Sequence, residues 1–163
     1  MVRIVYLLDH PMRIRAGVVL IEKDKVALIE RYRAGLHYFV FPGGGVKKHE
    51  SVKGAAVREM QEETGLQVAL VRKLVVVHYE LSRQVYYLAE RVSGVFGTGT
   101  GKEYTHADPD DPNQGTYFPI WMPVAELSER ENVYPSDVAA LVVRAPQEGW
   151  PDKAIEVVET PKD

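Results

Sequence analysis

Cysteine is absent from this chain of 163 residues. Disulfide bonds and thiolate chemistry are therefore excluded, both as supports for the fold and as a source of a nucleophile. Disulfides form in oxidising compartments, so their absence fits a cytoplasmic protein, although it is compatible with any compartment. We take a cytoplasmic location as the expectation.

Long apolar runs are missing as well. No apolar run reaches roughly eighteen residues, so we expect no membrane-spanning helix and no membrane partner. The N-terminal segment has a short apolar core without a small-residue cleavage site, and we interpret Arg3 to Leu8 as a strand rather than a signal peptide. A basic excess is also missing. The formal net charge of −3 argues against a general nucleic-acid binder.

The composition that remains is that of an ordinary globular domain. Apolar residues make up 45% and charged residues 26% of the chain, and the length is sufficient to bury one core. We expect a single domain over residues 1–163, in which the proline-rich and charged tail, residues 145–163, is only partly ordered. The oligomeric state is not determined by the sequence, which allows a homodimer.

The order of apolar patterns predicts an α/β fold. We expect strands at residues 13–22, 26–31, 38–41, 67–80, 84–92 and 116–122, and helices at residues 52–64, 123–127 and 136–144. Ser136 is the expected N-cap of the last helix. Residues 93–114 form a long loop, and such loops in compact domains are usually functional or mobile. This order favours a mixed sheet held between helices.

The segment at residues 41–66 is the most informative part of the chain. Near its start are three consecutive glycines, Gly43 to Gly45, which leave the backbone free to take positive φ angles and let a ligand approach the main chain closely. Apolar residues then recur every three or four positions from Val52 to Thr64, which is helical spacing. Ser51 is the expected N-cap of this helix, and Gly65 is expected to end it.

Three carboxylates share one face of that predicted helix. Glu59, Glu62 and Glu63 are spaced at i, i+3 and i+4. Like charges at this spacing repel each other, so a helix selected only for stability would alternate signs there. Hard divalent cations bind oxygen ligands, and Mg²⁺ in particular combines a few carboxylates with substrate phosphates. The cluster is therefore either a metal site beside the glycines or a solvated acidic helix face.

The full spacing of this segment resembles the Nudix box, Gx5Ex7REUxEExGU, in which U is an aliphatic residue. Gly44, Glu50 and the run from Arg58 to Leu66 meet every fixed position of that motif. The resemblance implies the Nudix fold, which is an α/β/α sandwich around a mixed β-sheet. It also implies a Mg²⁺-dependent hydrolase, with Mn²⁺ as an alternative metal, that cleaves the pyrophosphate linkage between a nucleoside diphosphate and another group.

The resemblance also implies roles for individual residues. The implied metal ligands are the carboxylates of Glu59, Glu62 and Glu63 and the carbonyl of Gly44. Arg58 and Glu50 would form a pair that orients the helix and its carboxylates. Glu103, in the later glycine-rich loop, is a candidate for a metal or a base role. The general base would be Glu59 or, as in other family members, a glutamate in such a loop, here Glu103. The sequence leaves these two alternatives open.

Substrate phosphates need cations, and arginine suits phosphate through its bidentate fork. The candidate phosphate ligands are Arg15, Arg31, Arg33 and Lys47. Each of them is also compatible with a solvated surface charge.

The substrate class that the resemblance favours is a small nucleotide such as a nucleoside triphosphate, because the signatures of ADP-ribose, dinucleoside polyphosphate and NADH hydrolases are missing or displaced. Two other functions stay open. One is a Nudix domain that senses a nucleotide without turnover, and the other is an RNA 5′-end pyrophosphohydrolase, which needs a basic channel for RNA.

Overall fold

The structure is a computed structural model that describes residues 11–101 and 115–160. Within these residues the chain forms nine strands and three helices. The strands are β1 (Arg13–Glu22), β2 (Lys25–Arg33), β3 (Leu36–Val40), β4 (Gly43–Gly45), β5 (Leu66–Tyr79), β6 (Ser82–Gly94), β7 (Phe118–Pro123), β8 (Val133–Tyr134) and β9 (Ile155–Glu159). The helices are α1 (Val52–Thr64), α2 (Val124–Leu127) and α3 (Ser136–Glu148).

The strands form one mixed sheet. Its order is β8–β3–β2–β1–β6–β5–β9, while β4 pairs with β1 and β7 pairs with β2. The β1–β6, β3–β8 and β5–β9 pairs are parallel, and the β1–β2, β2–β3 and β5–β6 pairs are antiparallel. The glycine strand β4 pairs antiparallel with β1, with Gly44 opposite Ala16. The main chain that precedes α1 is therefore held on the sheet.

Helices cover both faces of this sheet. On one face, α1 packs through Ala56 and Met60, both fully buried, against side chains from β1, β5 and β6. On the other face, α3 packs through Val138 and Val142, which are also fully buried. Burying a side chain of the size of valine or methionine contributes about 1.5–3 kcal/mol. The result is an α/β/α sandwich around a mixed sheet, as predicted.

Helix α1 begins and ends where the sequence predicts. The hydroxyl of Ser51 accepts a hydrogen bond from the N–H of Gly54 at 2.9 Å. Gly65 has a left-handed backbone with a φ of 83°, and its N–H donates to the carbonyl of Gln61 at 2.9 Å. Both caps are confirmed, so the carboxylate face of α1 has the predicted register.

The glycines before α1 do not adopt the positive φ angles that are open to them. Gly43–Gly45 are extended and form β4, and none of them has a positive φ. Two of these glycines are required by space instead. A Cβ on Gly43 would lie 2.3 Å from the carbonyl oxygen of Ala16, and a Cβ on Gly44 would lie 2.3 Å from Oε1 of Glu59. The groups that approach this main chain closely are therefore a neighbouring strand and a carboxylate of α1.

The tail at residues 145–160 is more ordered than the sequence predicted. Helix α3 extends to Glu148 instead of ending at Arg144, and β9 pairs in parallel with β5. Ile155 and Val157 of β9 pack against the core on the α3 side of the sheet. This burial explains why one short apolar run in a charged tail forms a strand.

Other differences concern the ends of elements. Ser136, the predicted N-cap of α3, is its first residue, and the N-cap is Pro135, without a side-chain hydrogen bond. The short strand β8 was not predicted, and it is held by parallel pairing with β3. The predicted strand Arg3 to Leu8 lies outside the described residues. In the part of the chain that the structure describes, no helix has the length and apolar character needed to cross a membrane.

Candidate active site

The guanidinium of Arg58 lies at the centre of the acidic face of α1. Its Nε donates to Oε2 of Glu50 at 2.7 Å and its Nη2 donates to Oε1 of Glu50 at 3.0 Å, which makes a bidentate pair. Its Nη1 donates to Oε1 of Glu59 at 2.8 Å and to Oε2 of Glu62 at 3.0 Å. Nη2 also donates to the carbonyl of Gly45 at 3.0 Å. One arginine therefore ties α1 to β4 and to the loop between them.

This network offsets the repulsion between like charges on the helix. Glu59 and Glu62 share one guanidinium nitrogen, so their negative charges lie next to the same cation. The predicted pair of Arg58 and Glu50 is present in the structure. The contacts from Arg58 to the two helix carboxylates were not predicted, although the i, i+4 spacing of Arg58 and Glu62 is a signal that could have indicated one of them.

The third carboxylate, Glu63, is 7% exposed and faces β4. Its Oε2 accepts a hydrogen bond from the N–H of Gly43 at 2.8 Å. Glu59 lies against the next residue of β4, where the absent Cβ of Gly44 leaves room for its carboxylate. Two of the three carboxylates therefore contact the main chain of the glycine strand itself. The glycines and the acidic helix face therefore lie side by side, as the sequence predicted.

Glu50 and Arg58 are a fixed pair of opposite charges. Hydrogen bonds from the Arg58 guanidinium and, to a lesser extent, from the Lys47 main-chain N–H lower the pKa of Glu50 to about 2. The hydrogen bonds from Arg58 to Glu50 and Glu59 raise the pKa of the guanidinium. Both groups stay charged near neutral pH. Their hydrogen bonds connect α1 to β4 and to the loop between them.

The donor set of this face fits a hard divalent cation. Carboxylates project from α1, and the carbonyl of Gly45 in β4 lies within reach of the same Arg58 guanidinium, so the available ligands are oxygens. Over residues 11–101 and 115–160, no three acidic or histidine side chains converge as they would in a complete protein cage. Mg²⁺ does not require such a cage, because it usually combines one or two carboxylates with water and substrate phosphates. The predicted metal ligands are Gly44, Glu59, Glu62 and Glu63, and this assignment stays a prediction.

The choice of general base also stays a prediction. Glu59 is positioned between the Arg58 guanidinium and the main chain of Gly44, with 14% of its side chain exposed. Glu103, the alternative, lies outside the described residues. Glu59 and Glu103 therefore both remain candidates for the general base.

Three of the predicted phosphate ligands have exposed side chains. Lys47 follows the glycine strand by two residues, and Arg15 lies on β1 opposite Gly45. Strand alternation places Arg15 on the opposite face of β1 from Ala16, which packs beneath α1. Arg33 is at the end of β2, next to the turn into β3. Arg15 and Lys47 therefore lie beside β4, whereas Arg33 lies at the tip of a hairpin.

The fourth cation, Arg31, is 8% exposed and is not a solvated surface charge. Its Nε donates to the carbonyl of Thr116 at 3.1 Å. Its guanidinium carbon lies 3.6 Å from the ring centroid of Tyr117 and 5.8 Å from that of Tyr38. Cation–π contacts and this hydrogen bond fix its position. Sequence reasoning missed Thr116 and Tyr117 as partners of Arg31, because no local spacing links residues that meet only through the pairing of β2 with β7.

Comparison with known families identifies the family of this chain. The family model of the NUDIX domain matches residues 11–141, which is most of the chain. The chain belongs to the NUDIX family. The match contains α1, β4 and the whole Arg58 network, so the family that the spacing of the box predicted is confirmed.

Solved structures of Nudix proteins have the same fold. A Nudix hydrolase from Nitrosomonas europaea aligns over 93% of this chain and 81% of that chain, with a TM-score of 0.72 and 15% identity. A MutT Nudix hydrolase from Burkholderia pseudomallei aligns over 72% of this chain and 86% of that chain, with a TM-score of 0.56 and 26% identity. These similarities confirm the predicted fold.

A shorter similarity is found to an RNA pyrophosphohydrolase from Caulobacter vibrioides. The two sequences are 47% identical over 62 residues, which is 36% of this chain and 36% of that protein. The matched segment thus covers only about a third of this relative's length. It shows relatedness within the family and leaves the substrate of this chain to experiment.

Proposed function

We propose that this protein is a Nudix hydrolase that cleaves the pyrophosphate linkage of a small nucleotide, most fittingly a nucleoside triphosphate. Cleavage would depend on Mg²⁺, with Mn²⁺ as an alternative. The observation that carries the proposal is the Arg58 network, which holds two helix carboxylates beside the main chain of β4. An acidic helix face without function would not need an arginine with contacts to Glu50, Glu59, Glu62 and Gly45 at once.

The roles in this proposal are those that the resemblance to the Nudix box implies, and the packing of the α1 carboxylates against β4 supports them. Glu59, Glu62 and Glu63, with the carbonyl of Gly44, would hold the cation. When bound, the cation would neutralise charge on the phosphate oxygens and lower the pKa of an attacking water. Arg58 and Glu50 would keep the carboxylates in position through the bidentate pair.

Glu59 or Glu103 would accept the proton of the attacking water. The two differ in a testable way, because Glu59 is also a proposed metal ligand. Loss of Glu59 would therefore change metal affinity and turnover together, whereas loss of a base that does not bind metal would change kcat at saturating Mg²⁺.

The cations around the site would bind the substrate phosphates. Lys47 follows β4 by two residues, near the place where phosphates attached to a metal held by Glu59 and Glu62 would emerge. Arg15 lies on β1 opposite Gly45, on the face turned away from α1, so it would contact a phosphate only around the edge of β4. Arg31 and Arg33 lie on β2, which does not pair with β4, so these two would contact the part of the nucleotide that is more distant from the metal. Arg31 is held in position there by Thr116 and Tyr117.

A second candidate function is removal of pyrophosphate from an RNA 5′ end. The observation that favours it is the 47% identity over 62 residues to a protein named RNA pyrophosphohydrolase. The formal net charge of −3 opposes it, since RNA binding depends on neutralising many phosphates. Under this alternative, the affinity of the protein for RNA should fall steeply as the salt concentration rises, and small nucleotides should be poor substrates.

A substrate panel with Mg²⁺ tests both functions. The panel contains nucleoside triphosphates including oxidised guanine forms, ADP-ribose, sugar nucleotides, dinucleoside polyphosphates, and RNA with a 5′ triphosphate or cap. Phosphorus NMR in ¹⁸O-labelled water identifies the phosphorus that is attacked. Turnover of nucleoside triphosphates supports the proposal, and turnover of RNA alone replaces it with the second candidate. Absence of turnover across the panel, with Mg²⁺ still bound, would favour a nucleotide sensor.

Glu62→Gln is the variant that ties turnover to the carboxylate face. It removes one charge from a side chain that is 34% exposed, so the fold should remain and metal-dependent turnover should be lost. Glu129→Gln, an exposed glutamate away from α1, is the matched control and should keep wild-type turnover. Equal activity of the two variants at saturating Mg²⁺ would contradict the metal-site assignment.

A further inference from the structure

The loop at residues 95–101, which follows β6, lies against the last turn of α1. The N–H of Gly97 donates to the carbonyl of Thr64 at 2.8 Å, and the N–H of Gly101 donates to the carbonyl of Glu62 at 3.0 Å. The last four carbonyls of a helix have no partner within the helix. The 95–101 loop therefore supplies donors to two carbonyls at the end of the helix that carries the box carboxylates.

The contact between this loop and α1 is main chain to main chain. A Cβ on Gly99 would lie 2.4 Å from the carbonyl oxygen of Glu62, 2.9 Å from the carbonyl carbon of Glu63 and 3.0 Å from its oxygen. Gly99 is not among the described residues with positive φ, so space alone requires a glycine here. These atoms belong to the main chain, which cannot relieve the clash by a change of rotamer as a side chain can. Any larger residue would push the loop and the helix turn apart.

The same loop is anchored to the sheet at its other end. The ring of Phe96 lies 4.7 Å from that of Trp121, centroid to centroid, with an interplanar angle of 31°. Trp121 belongs to β7 and pairs with Ala27 of β2, and both Phe96 and Trp121 pack against the core beneath α1. The loop therefore connects the central strands to the end of α1.

The residues that the loop contacts are those whose side chains define the proposed site. Glu62 projects its carboxylate to Arg58, and Glu63 projects its carboxylate to the N–H of Gly43. The turn that carries both is thus held by β4 through side chains and by the 95–101 loop through its main chain. A displacement of the loop would move both carboxylates relative to β4.

We propose that Gly99 is a positioning residue for the Glu62 and Glu63 carboxylates, acting through the contact of the 95–101 loop with the end of α1. The proposal rests on the function proposed above, because it assigns these carboxylates to a divalent cation. It predicts that the loop sets the cation affinity of the free protein, before any substrate is bound.

The test compares Gly99→Ala with Thr100→Ala, an exposed neighbour in the same loop that serves as the matched control. Three properties are measured on the full chain. They are Mn²⁺ binding to the free protein by electron paramagnetic resonance, kcat and KM as functions of Mg²⁺ concentration, and exchange of the Gly97 and Gly101 amide protons by NMR. Thermal unfolding confirms that each variant is folded at the assay temperature.

Gly99→Ala should speed exchange at both amides and raise the Mg²⁺ concentration needed for half-maximal kcat. It should also weaken Mn²⁺ binding by about tenfold, which is the size of effect that follows the loss of groups that orient metal ligands. Thr100→Ala should change none of these. Faster amide exchange with unchanged Mn²⁺ affinity would overturn the proposal, because the loop would then move without moving the carboxylates. Exchange of the Gly97 and Gly101 amide protons at the wild-type rate in Gly99→Ala would overturn it as well.

Failure of this proposal and failure of the proposed function give different results. If the wild type hydrolyses no nucleotide, the hydrolase assignment fails, while weaker Mn²⁺ binding by Gly99→Ala still supports the positioning role. If Gly99→Ala does not fold, Phe96→Ala removes the other anchor without a clash, and Phe96→Tyr keeps a ring in contact with Trp121. Weak Mn²⁺ binding in Phe96→Ala that is restored in Phe96→Tyr supports the proposal, and equal binding in the two overturns it.

Discussion

Alanine substitutions along β4 would separate the roles of three consecutive glycines. All three are extended, so the substitutions differ only in what the new Cβ meets. At Gly45 it meets no heavy atom within 4 Å beyond its chain neighbours, at Gly44 it meets the carboxylate of Glu59, and at Gly43 it meets the main chain of β1. The series therefore contains its own control for the general effect of replacing glycine in this strand.

Gly44→Ala should impair the site without unfolding the protein. Its Cβ would lie 2.3 Å from Oε1 and 2.4 Å from Cδ of Glu59, whereas ordinary contact begins at 3.4 Å, so the carboxylate has to retreat by about 1 Å. Glu59 can retreat by rotating its own side chain, and the free energy of unfolding should change by only about 0.5 kcal/mol. A 1 Å misplacement of a positioned group costs roughly 10²-fold in rate, and we expect that loss in kcat/KM.

The other two variants should behave differently. In Gly43→Ala the Cβ would lie 2.3 Å from the Ala16 oxygen and 2.7 Å from the Gly17 Cα, so two paired strands must separate. Such overpacking costs about 1–3 kcal/mol of the free energy of unfolding. Gly45→Ala meets open space and keeps the carbonyl that accepts from Arg58, so both stability and turnover should stay close to wild type.

Urea unfolding followed by circular dichroism measures the stability of each variant, and turnover of a panel substrate measures its activity. The reasoning predicts two separate losses, activity at Gly44 and stability at Gly43. Equal activity of Gly44→Ala and Gly45→Ala would refute it, because the position of the Glu59 carboxylate would then have no bearing on catalysis. Equal instability of Gly44→Ala and Gly43→Ala would refute the idea that Glu59 can move aside.

Three further predictions concern Arg58, Glu50 and Glu103. Arg58→Lys keeps the charge but loses the bidentate fork, so turnover should fall about 10–100-fold at saturating Mg²⁺. Arg91→Lys breaks an equivalent exposed fork to Glu22 and is the matched control, and similar turnover in both variants would contradict the prediction. Because the folded-state pKa of Glu50 lies near 2, below its ordinary 4.5, its contribution to stability should be complete above pH 4.5 and lost as the pH falls from there towards 2. Glu50→Gln should therefore be less stable than wild type by about 1 kcal/mol at pH 7, after allowance for solvent screening, and the difference should vanish in urea titrations near pH 2. Glu103→Gln should lower kcat by about 10²-fold with unchanged Mn²⁺ affinity if Glu103 is the base, and an effect below roughly threefold would assign that role to Glu59.

The conformation of β4 shows where local reasoning from sequence ended. The sequence shows that Gly43 to Gly45 are free to take positive φ, since glycine is the residue that tolerates it most easily. In the structure they are extended, and the absence of a Cβ leaves room for strand β1 at Gly43 and for the Glu59 carboxylate at Gly44. Helix α1 was predictable because its caps, Ser51 and Gly65, are adjacent to the segment that they terminate. Strands β8 and β9 were not, because each is held by a distant partner strand.

The same distinction separates the proposed metal-binding half of the site from its proposed substrate-binding half. The contacts of Arg58 span at most thirteen residues, so a motif of fixed spacing can encode them. The hydrogen bond from Arg31 to Thr116 spans 85 residues and depends on the pairing of β2 with β7. A sequence can therefore keep the complete box while the groups around Arg31 are rearranged by changes far away in the chain. For this reason the box defines the type of chemistry, and the choice between a small nucleotide and an RNA 5′ end depends on side chains that the box does not contain.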